Sequence, residues 1–211
     1  MYIREHSATM RFDLHVHTTI SPCSVLTLEE ILNHARARGL DGVCITDHDT
    51  MDVRHLIREG PQPTGLCVIF GIEYTTNDGD FLLFGPFDKV PPGLQAPEVL
   101  RWIDAVGGVA VAAHPFRRGR QTQEYLIQEG LCRIVEGLNG RNRESENDRL
   151  NRWRKRYSVH EVGGSDAHSL AELGKVLTSF SEPVRSRQGL VAALKKGRYV
   201  PERGNGDHSL L

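Results

Sequence analysis

Eight short apolar runs recur along the chain, and segments with helical spacing separate many of them: MRFDLHV, GVCIT, LCVIFGIE, DFLLFG, GVAVAAH, RIVEGLN, VHEVGGSD and KVLTSF. Most are four to eight residues long and rich in Val, Ile and Phe, the mark of buried strands. The helical segments carry end signals. TLEEILNHARARG opens on Thr27 as N-cap, places Glu30 three residues on as in a capping box, and closes on Gly39. APEVLRWIDAVGG has Pro97 near its first turn and closes on Gly107 and Gly108. Further helices are predicted over 120–129, 143–156 and 187–196. This alternation predicts an α/β fold with a mainly parallel sheet, open or closed into a barrel. At 211 residues, 39% hydrophobic and 25% charged, the chain suits a single domain over 1–211 that buries roughly 70% of its unfolded surface.

A net charge of −1 argues against a surface that holds nucleic acid by overall charge, although a local basic patch stays open. The opening MYIREHSATM has no apolar signal region, and GGVAVAA is far too short to span a bilayer. No membrane partner and a cytoplasmic location are therefore expected, while nothing in the sequence speaks to oligomeric state. Cys44, Cys67 and Cys132 sit in apolar runs and read as core thiols; Cys23 lies in the loop TTISPCSVLT.

In α/β folds the working groups gather at the carboxyl ends of strands, and the polar residues here follow that rule. DLHVHT puts Asp13, His15 and His17 on one strand face. TDHD supplies Asp47, His48 and Asp49; GIE supplies Glu73; GVAVAAHP ends in His114; RIVEGLN offers Glu136 and Asn139; GGSDAH delivers Asp166 and His168. Five histidines and several carboxylates on one rim would repel or stay unsatisfied unless something bound them, and divalent metal ions meet that need. His6, His34, His55, His160 and His208 fall at no strand end and read as surface residues.

These motifs, in this order, resemble the PHP family, the polymerase and histidinol phosphatase domains, with a motif core over about 11–180 and a C-terminal helix and tail over 181–211. The resemblance implies a distorted (β/α)7 barrel with two or three divalent ions (zinc, manganese or iron) at the carboxyl ends of its strands, and hydrolysis of a phosphate ester. Carried over by position, it implies that His15, His17 and Asp166 hold one metal, that Glu73 bridges to a second bound by His114, and that His48 and His168 bind a third. Asp13 and Asp47 would orient ligand imidazoles. The chain departs from the pattern at Ser21, Pro22 and Cys23, where many members have Ser-Asp-Gly. Glu136 stands near a position where some members place a further ligand.

The mechanism so implied is attack on phosphorus by a metal-bridging hydroxide, with Asp166 or His168 or a water as proton donor. Arg117 and Arg141 follow ligand-bearing strands and are the candidate phosphate contacts. The favoured substrate is a small phosphate ester of the nucleotide or sugar phosphate type. Two alternatives stand beside it, an oligonucleotide-trimming nuclease and a non-catalytic metal-binding module. The loops at 87–98 and 117–123 are the expected walls of a specificity pocket.

Overall fold

The computed structural model describes residues 9–204; the sequence readings on His6, His208 and the end of the tail lie outside the described residues. In chain order the elements are β1 (Met10–Val16), α1 (Leu28–His34), β2 (Gly42–Ile45), β3 (Gly60–Pro61), β4 (Cys67–Phe70), β5 (Ile72–Thr76), β6 (Gly79–Phe84), α2 (Ala96–Ala105), β7 (Val109–Ala112), α3 (Glu124–Gln128), β8 (Ile134–Asn139), α4 (Glu144–Asn147), α5 (Asn151–Arg156), β9 (His160–Gly164), β10 (Val176–Phe180), α6 (Arg187–Lys196) and β11 (Tyr199–Arg203). The result is a mixed α/β fold.

The strands form two sheets, in the orders β11-β10-β1-β2-β4-β3 and β5-β6-β7-β8-β9. The ladders do not run round as one closed barrel among the described residues. The run LCVIFGIE breaks at Gly71, so β4 stays in the first sheet while β5 starts the second. A Cβ at Gly71 would stand 2.5 Å from the Phe84 ring, which is why no side chain fits at this corner. The sheets also meet through single bridges, Val16 to Ala167 and His48 to Glu73. Pairing is mixed where a mainly parallel sheet was expected. β1 with β2, β2 with β4, β7 with β8 and β8 with β9 are parallel. The other five pairs are antiparallel. For β5 and β6 the cause is the two-residue link Asn77-Asp78, too short for the crossover that a parallel pair needs.

The helix signals hold at the start of α1 and at both ends of α2, and α6 spans the expected 187–196, whereas α1 stops at His34 and reaches Gly39 only as turns. Thr27 accepts from the Glu30 amide while the Glu30 carboxylate accepts from the Thr27 amide, a complete capping box. Pro97 lies in the first turn of α2, and Ser186 caps α6, which ends on left-handed Gly197. The helix expected over 120–129 shortens to Glu124–Gln128, and the one over 143–156 is divided by a 3₁₀ turn at Asp148–Leu150.

Two apolar cores flank the strands. One joins α1 and α2 to the outer strand faces through Ile31, Val99, Leu100 and Ile103. The other lies between the sheets, where Phe12, Leu14, Ile69, Leu82, Phe84, Val111, Val162 and Phe180 pack with Leu190 and Leu194 of α6. Cys44, Cys67 and Cys132 are buried in these cores as expected, and Cys23 is exposed. His34, His55 and His160 are exposed, also as expected. No helix among the described residues is long and apolar enough to cross a membrane.

Candidate metal centre

At the carboxyl ends of the strands the apolar filling stops and buried polar residues take over. His15, His17, Glu73, His114 and Asp166 are each at most 2% exposed. His15 and His17 come from the end of β1, Glu73 from β5, and His114 from just past β7. Asp166 and His168 follow β9, and His48 follows β2. Turning strand ends inward requires unusual backbone: His114 and Asp166 have φ of 31° and 54°, and Asp49 has 55°. These are the only non-glycine residues with positive φ among the described residues, and such strain persists where surrounding structure enforces it, typically at functional sites.

The partners of each imidazole set its tautomer. His15 Nδ1 faces Glu136 Oε1 at 3.0 Å, so it carries the hydrogen and leaves Nε2 as an acceptor. Ser21 donates its hydroxyl to Asp47 (2.7 Å) and so accepts from His17 Nδ1 at 3.2 Å, which again leaves Nε2 as an acceptor. These two Nε2 atoms lie 3.0 Å apart, lone pair against lone pair. Glu73 Oε2 is 3.3 Å from the first and 3.0 Å from the second, and Asp166 Oδ1 is 3.6 and 3.5 Å away. Four acceptors facing one point repel one another unless a cation sits among them. Donor atoms on one tetrahedral ion with bonds of 2.0–2.1 Å lie about 3.3 Å apart, so the residues present fit a metal.

Two further groups adjoin this one. Donor atoms of Glu73, Asp80 and His114 lie within 4.8 Å of one another, as do those of His17, His48 and His168. His114 Nε2 is 2.9 Å from Glu73 Oε1, while its Nδ1 is buried without a hydrogen-bond partner. His168 Nδ1 faces the Asp166 carbonyl at 2.9 Å, which leaves its Nε2 free.

Electrostatics agree with this arrangement. Burial opposes a charge on His15, but Asp166, Glu136 and Glu73 outweigh it and hold its pKa well above the usual value. In the metal-free chain a proton thus takes the cation's place. Burial would raise the Glu73 carboxyl, yet the charge on His15 and the hydrogen bond from His114 hold it well below the carboxylate range. Asp166 is likewise lowered, to about 2, because His15 and Arg117 overcome its burial. Burial and then His17 push His168 down to about 4.

The expected supporting residues take more varied places. Asp47 receives the Thr18 amide and hydroxyl and the Ser21 hydroxyl, and reaches His17 only through Ser21. Asp13 touches no imidazole; its oxygens accept from the amides of Ser165 (2.8 Å) and Gly174 (3.0 Å) and so tie β1 to the GGSDAH segment. The carboxylate that does orient an imidazole directly is Glu136, which also takes the His114 amide at 2.8 Å. Arg117 places its guanidinium 2.7 Å from Asp166 Oδ2 and donates to Asn139 and Asn142. Arg141 stands at the rim, its side chain 40% exposed and 3.5 Å from Glu172. Sequence reasoning missed Asp80, a fully buried acid opening the run DFLLFG, whose oxygen is 3.8 Å from His114 Nε2. The signal was there in a carboxylate at the head of an otherwise apolar strand.

Comparison with known proteins extends the picture. Residues 144–199 match the family described as PHP-associated. An uncharacterized protein of Methanocaldococcus jannaschii is 32% identical over 117 residues, which cover 51% of this chain and 68% of that one. A 5'-3' exoribonuclease of Haemophilus influenzae is 32% identical over 91 residues, 42% of this chain and 33% of the enzyme. A two-domain protein of Bacteroides vulgatus, described as containing a predicted PHP-like metal-dependent phosphoesterase, superposes with a TM-score of 0.71 at 20% identity over 95% of this chain and 66% of that one. With the motif order of the strand ends, these matches make the chain a member of the PHP family.

Proposed function

We propose that the chain is a metal-dependent phosphoesterase acting on a small phosphate ester of the nucleotide or sugar phosphate type. The observation that carries this reading is the convergence of His15, His17, Glu73 and Asp166 acceptors at 3.0–3.6 Å around one point. His15, His17, Glu73 and Asp166 would hold one divalent ion, and Glu73 would share it with a second held by His114. His48 and His168, with His17 beside them, would hold a third. The ions (zinc, manganese or iron) would supply Lewis acidity to the phosphoryl group and lower the pKa of an attacking water.

The chain's own residues orient, hold and shield. Glu136 and the Asp47–Ser21 pair fix the two Nε2 lone pairs toward the centre. Arg117 keeps Asp166 ionised and in place, and lies close enough to the centre to share a phosphate oxygen. Arg141, exposed at the rim, is the second phosphate contact. Because Asp166 Oδ1 faces the His15 and His17 nitrogens and His168 lies beside His17 and His48, both suit ligation better than proton donation, and solvent is the better donor to the leaving alkoxide. We read the two sheets as halves of a distorted (β/α)7 barrel, since β4 runs into β5 across Gly71 and the Val16–Ala167 bridge joins β1 to the segment after β9.

The test is phosphate release by manganese-loaded protein across mononucleotides, sugar phosphates, histidinol phosphate and short oligonucleotides, with His15→Ala alongside. Turnover of one small class, absent in the variant, supports the reading. Metal-replete protein that hydrolyses nothing in the panel overturns it in favour of a binding module. A second reading, an oligonucleotide-trimming nuclease, draws on the Haemophilus relative and on exposed Arg118, Arg120, Arg141 and Arg143 near the site. Oligonucleotide binding that falls steeply with salt would favour it, because each phosphate contact adds to the slope.

A further inference from the structure

The second metal position lacks an obvious third protein ligand. Glu136, the nearest candidate on β8, has no oxygen to spare: Oε1 accepts from His15 Nδ1 at 3.0 Å, and Oε2 accepts from the His114 amide (2.8 Å) and Asn139 Nδ2 (2.9 Å). Its role is already fixed as the anchor of two histidines. Asp80 is different. It is 1% exposed, and among the described residues its side chain bonds only the guanidinium of Arg120, at 3.0 Å, from a residue whose own side chain is 49% exposed. Burying a carboxylate costs several kcal/mol in general, and a half-solvated arginine offsets that only in part.

The hairpin places this carboxylate with care. Gly79 has φ of 125°, and a Cβ there would lie 2.8 Å from Thr122 Cα, so only glycine lets β6 start this close to the 117–123 loop. The result is Asp80 Oδ2 at 3.8 Å from His114 Nε2, with Glu73 Oε1 2.9 Å from that same nitrogen. Independent of the acids, the buried His114 ring has an unpartnered Nδ1, and the Thr122 hydroxyl against Gly79 is buried and unpartnered as well. The polar groups in this corner are incompletely satisfied by one another.

We infer that Asp80 is a protein ligand of the second metal, completing a Glu73–Asp80–His114 set, and that Arg120 is the cation the metal displaces from it. The inference rests on the metal-centre reading above and assigns a ligand within it. Arg120 then competes with the ion for one carboxylate, so removing Arg120 tightens that site or leaves it unchanged, whereas removing the Asp80 charge empties it.

The experiment counts metal and needs no substrate. Wild type, Asp80→Asn, Asp80→His and Arg120→Gln are loaded with manganese and freed of excess. Bound manganese per chain is then measured by elemental analysis, and exchange coupling between ions by low-temperature EPR, with thermal unfolding as the check on folding. The expected result is loss of one of the wild-type ions and a weakened coupled signal in Asp80→Asn, the full wild-type complement in Arg120→Gln, and that complement with an altered signal in Asp80→His, where imidazole replaces carboxylate. Unchanged stoichiometry and coupling in Asp80→Asn overturns the inference and leaves the metal centre standing. Loss of the same ion in Arg120→Gln also overturns it, since Asp80 would then serve only the ion pair. Wild type that binds no manganese overturns the metal-centre reading itself.

Discussion

The two ends of the same strands follow opposite rules. At one end, where β1 and β7 begin and the antiparallel β6 and β10 finish, Phe12, Phe84, Val109 and Phe180 close the space between the sheets, and α6 seals it with Leu190 and Leu194. At the other end, where β1, β4, β7 and β9 finish and β5 begins, the interior fills with His15, His17, Glu73, His114 and Asp166, and the three strained non-glycine residues gather there. One end lowers the free energy of the fold by excluding water. The other converges lone pairs and holds backbone in disfavoured conformations, which raises it unless a metal ion or a proton sits among the acceptors. Stability and function thus occupy separate layers of one scaffold.

The sharpest way to break that separation is to exchange its two signatures. His15→Ala should reduce phosphate release to the uncatalysed background while the protein stays folded; turnover assays and urea unfolding read the two effects. Phe12→Ala should do the reverse. Its ring is fully buried, packs edge-on against Phe180 at 5.9 Å and fills the space over Gly42, so its loss should cost about 3–5 kcal/mol in urea unfolding while the folded fraction keeps its turnover number.

Glu136→Gln tests the border between the layers. It retains the shape but weakens the hold on His15 Nδ1, and manganese affinity by calorimetry should fall about 10–100-fold. A fall confined to stability would place Glu136 with the scaffold. The pH response sharpens the same line. His168 titrates at about 4 in the folded chain against a usual value of 6.5, so between those values the unfolded chain binds a proton that the folded chain does not. His168 therefore makes the metal-free protein lose stability as pH falls through that window, and His168→Gln should show a shallower loss in urea unfolding from pH 7 to 4. Thr27→Ala, in the exposed capping box of α1, should show the smallest effect, about 1 kcal/mol with no change in metal content.

Much of this arrangement was legible in the residues. The H-x-H strand, the solitary acid of GIE and the histidine closing VAVAAH read directly as one rim, and all of them meet there. What escaped reading shares a physical cause. Asp13 and Asp47 sit next to ligands in sequence, yet apart from the His15 amide on Asp13 their oxygens go to amides and hydroxyls from segments 26 to 161 positions away, distances over which no spacing rule acts. Asp80 looked like the start of a strand because its role depends on a two-residue hairpin that reverses β6 and on the close approach of Gly79 to Thr122. The break at Gly71 was hidden because an apolar run looks the same whether or not it changes sheets.

The sequence by itself determined the α/β alternation, the helix caps and which side chains stand at strand ends, because these follow from period, local hydrogen bonding and the φ preferences of Gly and Pro. Only the tertiary structure decided which strands run antiparallel, which carboxylate steadies which imidazole, and that His114 and Asp166 turn inward at positive φ. Those outcomes rest on contacts between residues far apart in the chain, and on burial strong enough to impose a strained backbone, and neither is written in any local window.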